Sequence, residues 1–191
     1  MNTVVVPPEL RAIAREIALI ILDVDGVLTD GTLAYGETGE TVKYFNAKDG
    51  LGIRLMQSVG IEVAVITARK SPILDKRMND LRIAHFYTGY DNKLDAYGAL
   101  LQKVAIPENQ IAYVGDDVLD LPVMRRVGLP IAVGDAHWSA KKSAKWIVDG
   151  LGGKGAVREV ADGLIDARED VMAAIDRFLD SHVGKSGLDK A

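Results

Sequence analysis

Six consecutive apolar residues, Ile17-Ala18-Leu19-Ile20-Ile21-Leu22, stop abruptly at a carboxylate, Asp23. A short run that is apolar at every position, rather than at every second one, suits a strand buried on both faces of a parallel sheet. Similar runs recur at Glu62–Ile66, Ile111–Val114, Ile131–Val133 and Trp146–Val148. Helical stretches separate them. Gly50–Val59 carries Leu51, Ile53, Leu55 and Met56 before Gly60 stops it. Ser71-Pro72 reads as an N-cap and first helical position opening a helix to about Arg82. Asp91 or Asn92 can cap a helix running to about Val104, and Asp117–Val127 and Arg168–Leu179 complete the set. Strands alternating with helices predict an α/β fold, a Rossmann-like doubly wound parallel sheet.

One segment breaks the alternation. Thr32–Tyr35 and Thr41–Phe45 read as two strands joined by Gly36-Glu37-Thr38-Gly39, a β-hairpin over about residues 32–45. It is too short for a cap domain and is expected to form a flap or, more blandly, an edge extension of the sheet. The rest predicts a single domain over residues 1–183, followed by a flexible tail, 184–191, containing Gly184-Lys185-Ser186-Gly187. With 191 residues, 48% of them hydrophobic, the chain can bury a sizeable core. The net charge of -4 argues against a nucleic-acid partner. There is no cysteine, which excludes disulfides, thiolate metal sites and thiol nucleophiles. The longest apolar run is far too short to cross a bilayer, so no membrane partner is expected and the protein reads as soluble and cytoplasmic.

The chemistry is concentrated in acidic clusters at strand ends. Asp23-Val24-Asp25-Gly26-Val27-Leu28-Thr29-Asp30-Gly31 directly follows the first strand. Ligands of open α/β sheets bind beyond the carboxyl ends of strands. Two carboxylates at i and i+2 there call for a compensating cation, such as Mg²⁺ with its preference for oxygen ligands. A plain Asp-rich turn is the alternative. Gly115-Asp116-Asp117-Val118-Leu119-Asp120 follows another strand and reads either as a helix N-cap or as the source of a further metal ligand. Thr67, just past a third strand in Ile66-Thr67-Ala68-Arg69, and Lys93, near a helix start, are candidates to hold a phosphoryl group, although each alone is as well explained by capping or solvation. The three histidines lack metal-ligand spacing, and the basic stretch Lys141-Lys142-Ser143-Ala144-Lys145 reads as a solvated helix face.

Taken together, Asp23–Gly31, Thr67, Lys93 and Gly115-Asp116-Asp117 resemble the four motifs of the haloacid dehalogenase-like phosphatase superfamily. Phe45-Asn46-Ala47-Lys48-Asp49-Gly50 and Gly152-Gly153-Lys154-Gly155-Ala156-Val157-Arg158-Glu159 narrow the resemblance to its capless branch acting on phosphorylated sugar acids in lipopolysaccharide precursor synthesis. The resemblance implies Mg²⁺ as cofactor and a homotetramer whose neighbouring subunits help close each site. It implies Asp23 as nucleophile and metal ligand, Asp25 as general acid/base with a metal-binding carbonyl, Thr67 and Lys93 as phosphoryl holders, and Asp116 as a further ligand supported by Asp117 and Asp120. Sugar-acid contacts map to Asp25, Asn46, Lys48, Asp49, Gly50, Arg54, Arg69, Arg77 and Lys93. Relatives commonly carry Arg where this chain has Lys48 and Gly where it has Ala68. A nine-carbon sugar-acid phosphate as substrate, and a non-catalytic oligomerisation or regulatory domain, stay open as alternatives. Arg158 is expected either to close over a neighbouring site or to cap a helix C-terminus.

Overall fold

The computed structural model describes residues 6–183; the tail expected over 184–191 lies outside the described residues. Six parallel strands form the central sheet: β1 (Leu19–Leu22), β4 (Glu62–Thr67), β5 (His85–Thr88), β6 (Ile111–Gly115), β7 (Leu129–Ala132) and β8 (Trp146–Ile147). Their spatial order is β5-β4-β1-β6-β7-β8, so β1 is central and the winding direction reverses between β1 and β6. Leu19 pairs with Glu62 on one side and Ile111 on the other, and all four β1 side chains are fully buried. This explains the unbroken apolar run: neither face of the strand meets water.

Two helical layers cover the sheet. On one side α1 (Arg11–Glu16), α2 (Ala47–Ser58) and α7 (Ala156–Arg168) pack together, with α8 (Val171–Val183) against α2 and α7. On the other, α4 (Lys93–Leu101) meets α5 (Leu121–Met124), which meets α6 (Trp138–Ser143). A further helix, α3 (Pro72–Asp80), connects β4 to β5. Leu55, Ile165, Ala174 and Phe178 form a small second core beneath α8.

Several expected boundaries move for local reasons. The first strand begins at Leu19, because Ile17 is the C-cap of α1, a helix the apolar pattern did not reveal. Helix α2 starts three residues earlier than expected, where Asn46 Oδ1 accepts the Lys48 N–H at 2.8 Å. The stretch Asp117–Val127 is a single 3₁₀ turn, Val118–Asp120, followed by the short α5, with Pro122 in its first turn. The helix expected over Arg168–Leu179 is α8 and starts later, at Val171, where the Asp170 carboxylate accepts the Ala173 N–H at 2.9 Å; Arg168 instead ends α7, a separate helix the sequence pattern did not reveal. Arg158 therefore lies in the first turn of α7, not at a helix C-terminus, with Nε 2.8 Å from Asp162 Oδ1. The hairpin strands, β2 (Ala34–Gly36) and β3 (Gly39–Val42), form their own two-stranded sheet, which excludes the edge-extension reading. No cap domain is inserted among the described residues; the hairpin follows β1 in the chain, past that strand's carboxyl end.

Candidate active site

The reversal of winding at β1 and β6 opens a crevice at their carboxyl ends, and the two acidic clusters meet there. Asp23 extends the ladder past β1, its N–H donating to the Val114 carbonyl at 3.1 Å. The chain then curls around the Val24 carbonyl, which accepts N–H groups from Val27, Leu28 and Thr29. Gly26 makes the curl possible twice over. Its φ is +88°, and a β-carbon there would lie 2.0 Å from Asp116 Oδ2; only glycine tolerates both.

Asp120, 1% exposed, organises the facing loop. Its Oδ2 accepts the Asp116 and Asp117 N–H groups at 2.8 and 3.1 Å, and its Oδ1 accepts the Tyr113 hydroxyl and the Lys93 ammonium, both at 2.6 Å. Lys93, at the start of α4, also reaches Asp23 Oδ1 at 2.8 Å. Asp117 caps the Val118 N–H at 2.7 Å and faces solvent.

Oxygens of Asp23, Asp116 and Asp120 lie within 4.8 Å of one another. Three carboxylates against one ammonium leave an excess of two negative charges. Burial, reinforced by Asp120, pushes the Asp23 carboxyl up to about 7, with Lys93 opposing; burial, reinforced by Asp23, pushes Asp116 up to about 8. The donor set fits a hard divalent cation: all its atoms are oxygens, its charge excess matches Mg²⁺, and Gly26 clears the space that lets Asp116 approach. With both Asp120 oxygens engaged by donors, Asp23 and Asp116 are the pair left to coordinate.

These groups line a cavity of about 300 Å³ together with Asp25, Leu33, Thr67 and Arg69. Thr67 ends β4, is buried, and its hydroxyl accepts the Arg69 N–H at 3.3 Å. Asp25 is held by two cations, Lys43 at 2.5 Å on Oδ1 and Arg69 at 3.5 Å on Oδ2. Arg69 in turn donates to the Tyr35 hydroxyl at 2.9 Å, tying the hairpin to the β4 loop.

A sequence profile of the haloacid dehalogenase-like hydrolases matches residues 83–151. The 3-deoxy-D-manno-octulosonate 8-phosphate phosphatase of Salmonella typhimurium is 48% identical over 163 residues, 85% of this chain and 87% of that protein. The chain belongs to the 3-deoxy-D-manno-octulosonate 8-phosphate phosphatase family of haloacid dehalogenase-like hydrolases. Two solved structures of such phosphatases superpose closely. That from Yersinia pestis has a TM-score of 0.83 and 44% identity, covering 85% of this chain and 88% of the other. That from Moraxella catarrhalis, in complex with magnesium, phosphate and KDO, has a TM-score of 0.84 and 37% identity, covering 89% and 98%.

The structure gathers only part of the site expected for this phosphatase family. Asp23, Asp25, Thr67, Arg69, Lys93, Asp116, Asp117 and Asp120 share the cavity. Asn46, Lys48, Asp49, Gly50, Arg54 and Arg77 do not line it. Asn46 caps α2 and donates from Nδ2 to the Gly153 carbonyl at 3.4 Å. The Asp49 carboxylate is buried and accepts the Gly155 and Arg158 N–H groups at 3.2 and 2.8 Å. Gly50 leaves room for Arg77, whose guanidinium would lie 2.4 Å from a β-carbon there and which stacks over Phe45. Lys48 is exposed. Arg54 lines a different cavity, of about 600 Å³, with Glu62, Arg82 and His85 at the opposite edge of the sheet, where β4 and β5 begin. Two residues the sequence reading did not single out are built into the site: Tyr113, through Asp120, and Lys43, through Asp25.

Proposed function

We propose that the chain is a Mg²⁺-dependent phosphatase that hydrolyses 3-deoxy-D-manno-octulosonate 8-phosphate to the free sugar acid and phosphate through an aspartyl-phosphate on Asp23, in lipopolysaccharide precursor synthesis. The observation that carries this reading is the convergence of Asp23 and Asp116, from two distant stretches, beside a buried lysine at the β1–β6 crevice.

A phosphomonoester brings about 1.5–2 negative charges toward a carboxylate nucleophile. Lys93 offsets part of that repulsion, and with the Thr67 hydroxyl it orients the phosphoryl group. Mg²⁺, held by Asp23, Asp116 and the Asp25 carbonyl, would supply further charge neutralisation and alignment for in-line attack. Asp23 attacks phosphorus, and Asp25 gives its proton to the leaving oxygen. Asp25, now ionised, then takes a proton from the water that releases phosphate. Asp120 and Asp117 hold the Asp116 loop and take no part in bond making.

For the sugar acid, Arg69 stands at the cavity wall. The proposed contacts from Asn46, Lys48, Asp49, Gly50, Arg54 and Arg77 are outside this chain's own cavity, and we read the open side as closed by neighbouring subunits of a cytoplasmic homotetramer. The exposed apolar side chains of Leu33, Tyr35, Val42 and Tyr44, on and beside the hairpin, favour such a contact. Steady-state phosphate release across eight- and nine-carbon sugar-acid phosphates, with and without Mg²⁺, tests the proposal. The eight-carbon 8-phosphate should be turned over fastest and only with the metal; a preference for a nine-carbon 9-phosphate would reassign the substrate, and no turnover at all would overturn the enzymatic reading.

A further inference from the structure

Besides Lys93, one other lysine among the described residues is buried, and nothing in the reaction sequence above uses it. Lys43 follows β3 directly, and its side chain is 1% exposed. Its Nζ lies 2.5 Å from Asp25 Oδ1 and 2.8 Å from Glu40 Oε1. Burial works against the ammonium charge, yet the bonds to the two carboxylates outweigh it, and the Lys43 pKa is raised. A long side chain held by two carboxylate partners in a buried site is restrained, and so can restrain what it touches.

What it touches is the group with the most exacting placement requirement. The other cation on Asp25, Arg69 Nε at 3.5 Å, is longer and belongs to a side chain 43% exposed. The contact from Lys43 is therefore the shorter and better shielded of the two. It engages Oδ1, while Oδ2, which meets the longer contact from the half-exposed Arg69, is the oxygen that carries the proton in this scheme. We propose that Lys43 is a positioning residue for the acid/base step, fixing the Asp25 carboxylate against the leaving oxygen with Glu40 as its counterion, so that the hairpin takes part in the chemistry and is not only a wall. This rests on the phosphatase reading given above. In the first step the Asp25 Oδ2–H bond breaks and the proton passes to the ester oxygen, as the phosphorus–ester oxygen bond breaks and the bond from Asp23 to phosphorus forms. In the second, water oxygen bonds to phosphorus, the Asp23–phosphorus bond breaks, and a water proton returns to Asp25. Lys43 exchanges neither protons nor electrons.

The test compares kcat/KM, which reports events up to the first irreversible step, on two esters. An alkyl phosphate, 3-deoxy-D-manno-octulosonate 8-phosphate, needs its leaving oxygen protonated; p-nitrophenyl phosphate, with a good leaving group, does not. Lys43→Met should lose about 100-fold or more on the alkyl ester and no more than about threefold on the aryl ester, following the pattern of Asp25→Asn. The double variant E40Q/K43M removes the stranded counterion as well and gives the same comparison should K43M unfold. Equal losses on both esters, or no loss on either, while Asp25→Asn discriminates between them, would overturn the role of Lys43 and leave the phosphatase reading intact. Wild-type protein inactive on both esters with Mg²⁺ would overturn that reading and this inference with it.

Discussion

The Lys93 ammonium lies 2.8 Å from the Asp23 carboxylate, and the pair is almost wholly withdrawn from water, with side-chain exposures of 3% and 10%. One buried cation thereby serves both as counterion to the nucleophile and, through Asp120 at 2.6 Å, as an anchor of the opposite loop. Removing one partner of a buried pair strands the other, at a cost of about 3–5 kcal/mol. Lys93→Met is expected to destabilise the chain by that amount in urea unfolding and to lower kcat by roughly 100- to 1,000-fold, the usual effect of losing one preorganised donor at a reacting centre. A variant with wild-type stability would show that Lys93 does not hold the two loops together.

The raised carboxyls of Asp23 and Asp116 make stability depend on pH in a stated direction. Both are pushed above the usual carboxylate value of about 3.9, to about 7 and about 8, first by burial and then by a neighbouring carboxylate, Asp120 for Asp23 and Asp23 for Asp116. Between about pH 4 and pH 8 the folded, metal-free chain therefore holds more protons than the unfolded one, and its stability falls as pH rises. A divalent cation binds the ionised pair and reverses this. In EDTA, Tm should drop from about pH 5 to about pH 8. A Mg²⁺ concentration a hundredfold above the Kd at pH 8 should raise Tm by roughly 5–10 °C there, and by less at pH 5, where protons compete for the carboxylates and raise the Kd. Calorimetric scans with and without the metal check it, and Asp116→Asn should abolish the gain.

The parts of this arrangement that sequence made legible are those set by local rules. β1, β4 and β6 announce themselves because strands covered on both faces must be largely apolar, and Asp23, Thr67 and Asp116 stand out because each polar group ends or follows such a strand. Lys93 stands beside a visible cap, Asn92. What stayed hidden depends on distant partners. Helix α7 reads poorly because Gly163 interrupts it; a β-carbon at Gly163 would lie 2.6 Å from the Trp146 ring, a constraint seventeen residues away in sequence. Lys43 looks like any solvated lysine of a hairpin until its burial against Asp25 is seen. Arg54 and Arg77 carry the charge expected of sugar-acid contacts, yet within one chain Arg54 faces the other edge of the sheet and Arg77 packs on Phe45.

Gly26 offers a clean test of the crevice geometry. Alanine there meets two penalties at once, a left-handed φ costing about 1–2 kcal/mol and a β-carbon 2.0 Å from Asp116 Oδ2. The second can be relieved only by swinging Asp116 away from Asp23. Gly26→Ala should therefore lose the Mg²⁺-dependent rise in Tm while remaining folded. Gly39→Ala, with φ at +112° but no atom within 4 Å of the added carbon, should keep it. Retention of metal binding by Gly26→Ala would mean that Asp116 has room the structure does not show.

Asp49 carries two readings that one variant separates. As a sugar-acid contact it would affect KM. In the structure its carboxylate is buried, and it accepts N–H groups of Gly155 and Arg158 at the N-terminus of α7, where backbone donors have no partner within the helix. It thus joins α2 to α7 by satisfying donors across a gap of more than 100 residues in sequence. Replacing a capping carboxylate costs about 0.5–2 kcal/mol when exposed, and burial of the orphaned donors adds to that. Asp49→Ala should lower stability by about 2–3 kcal/mol, read by urea unfolding, with KM for the 8-phosphate changed less than twofold. A stable variant with KM raised tenfold or more would instead place Asp49 in contact with substrate, and would require α7 to start on some other cap.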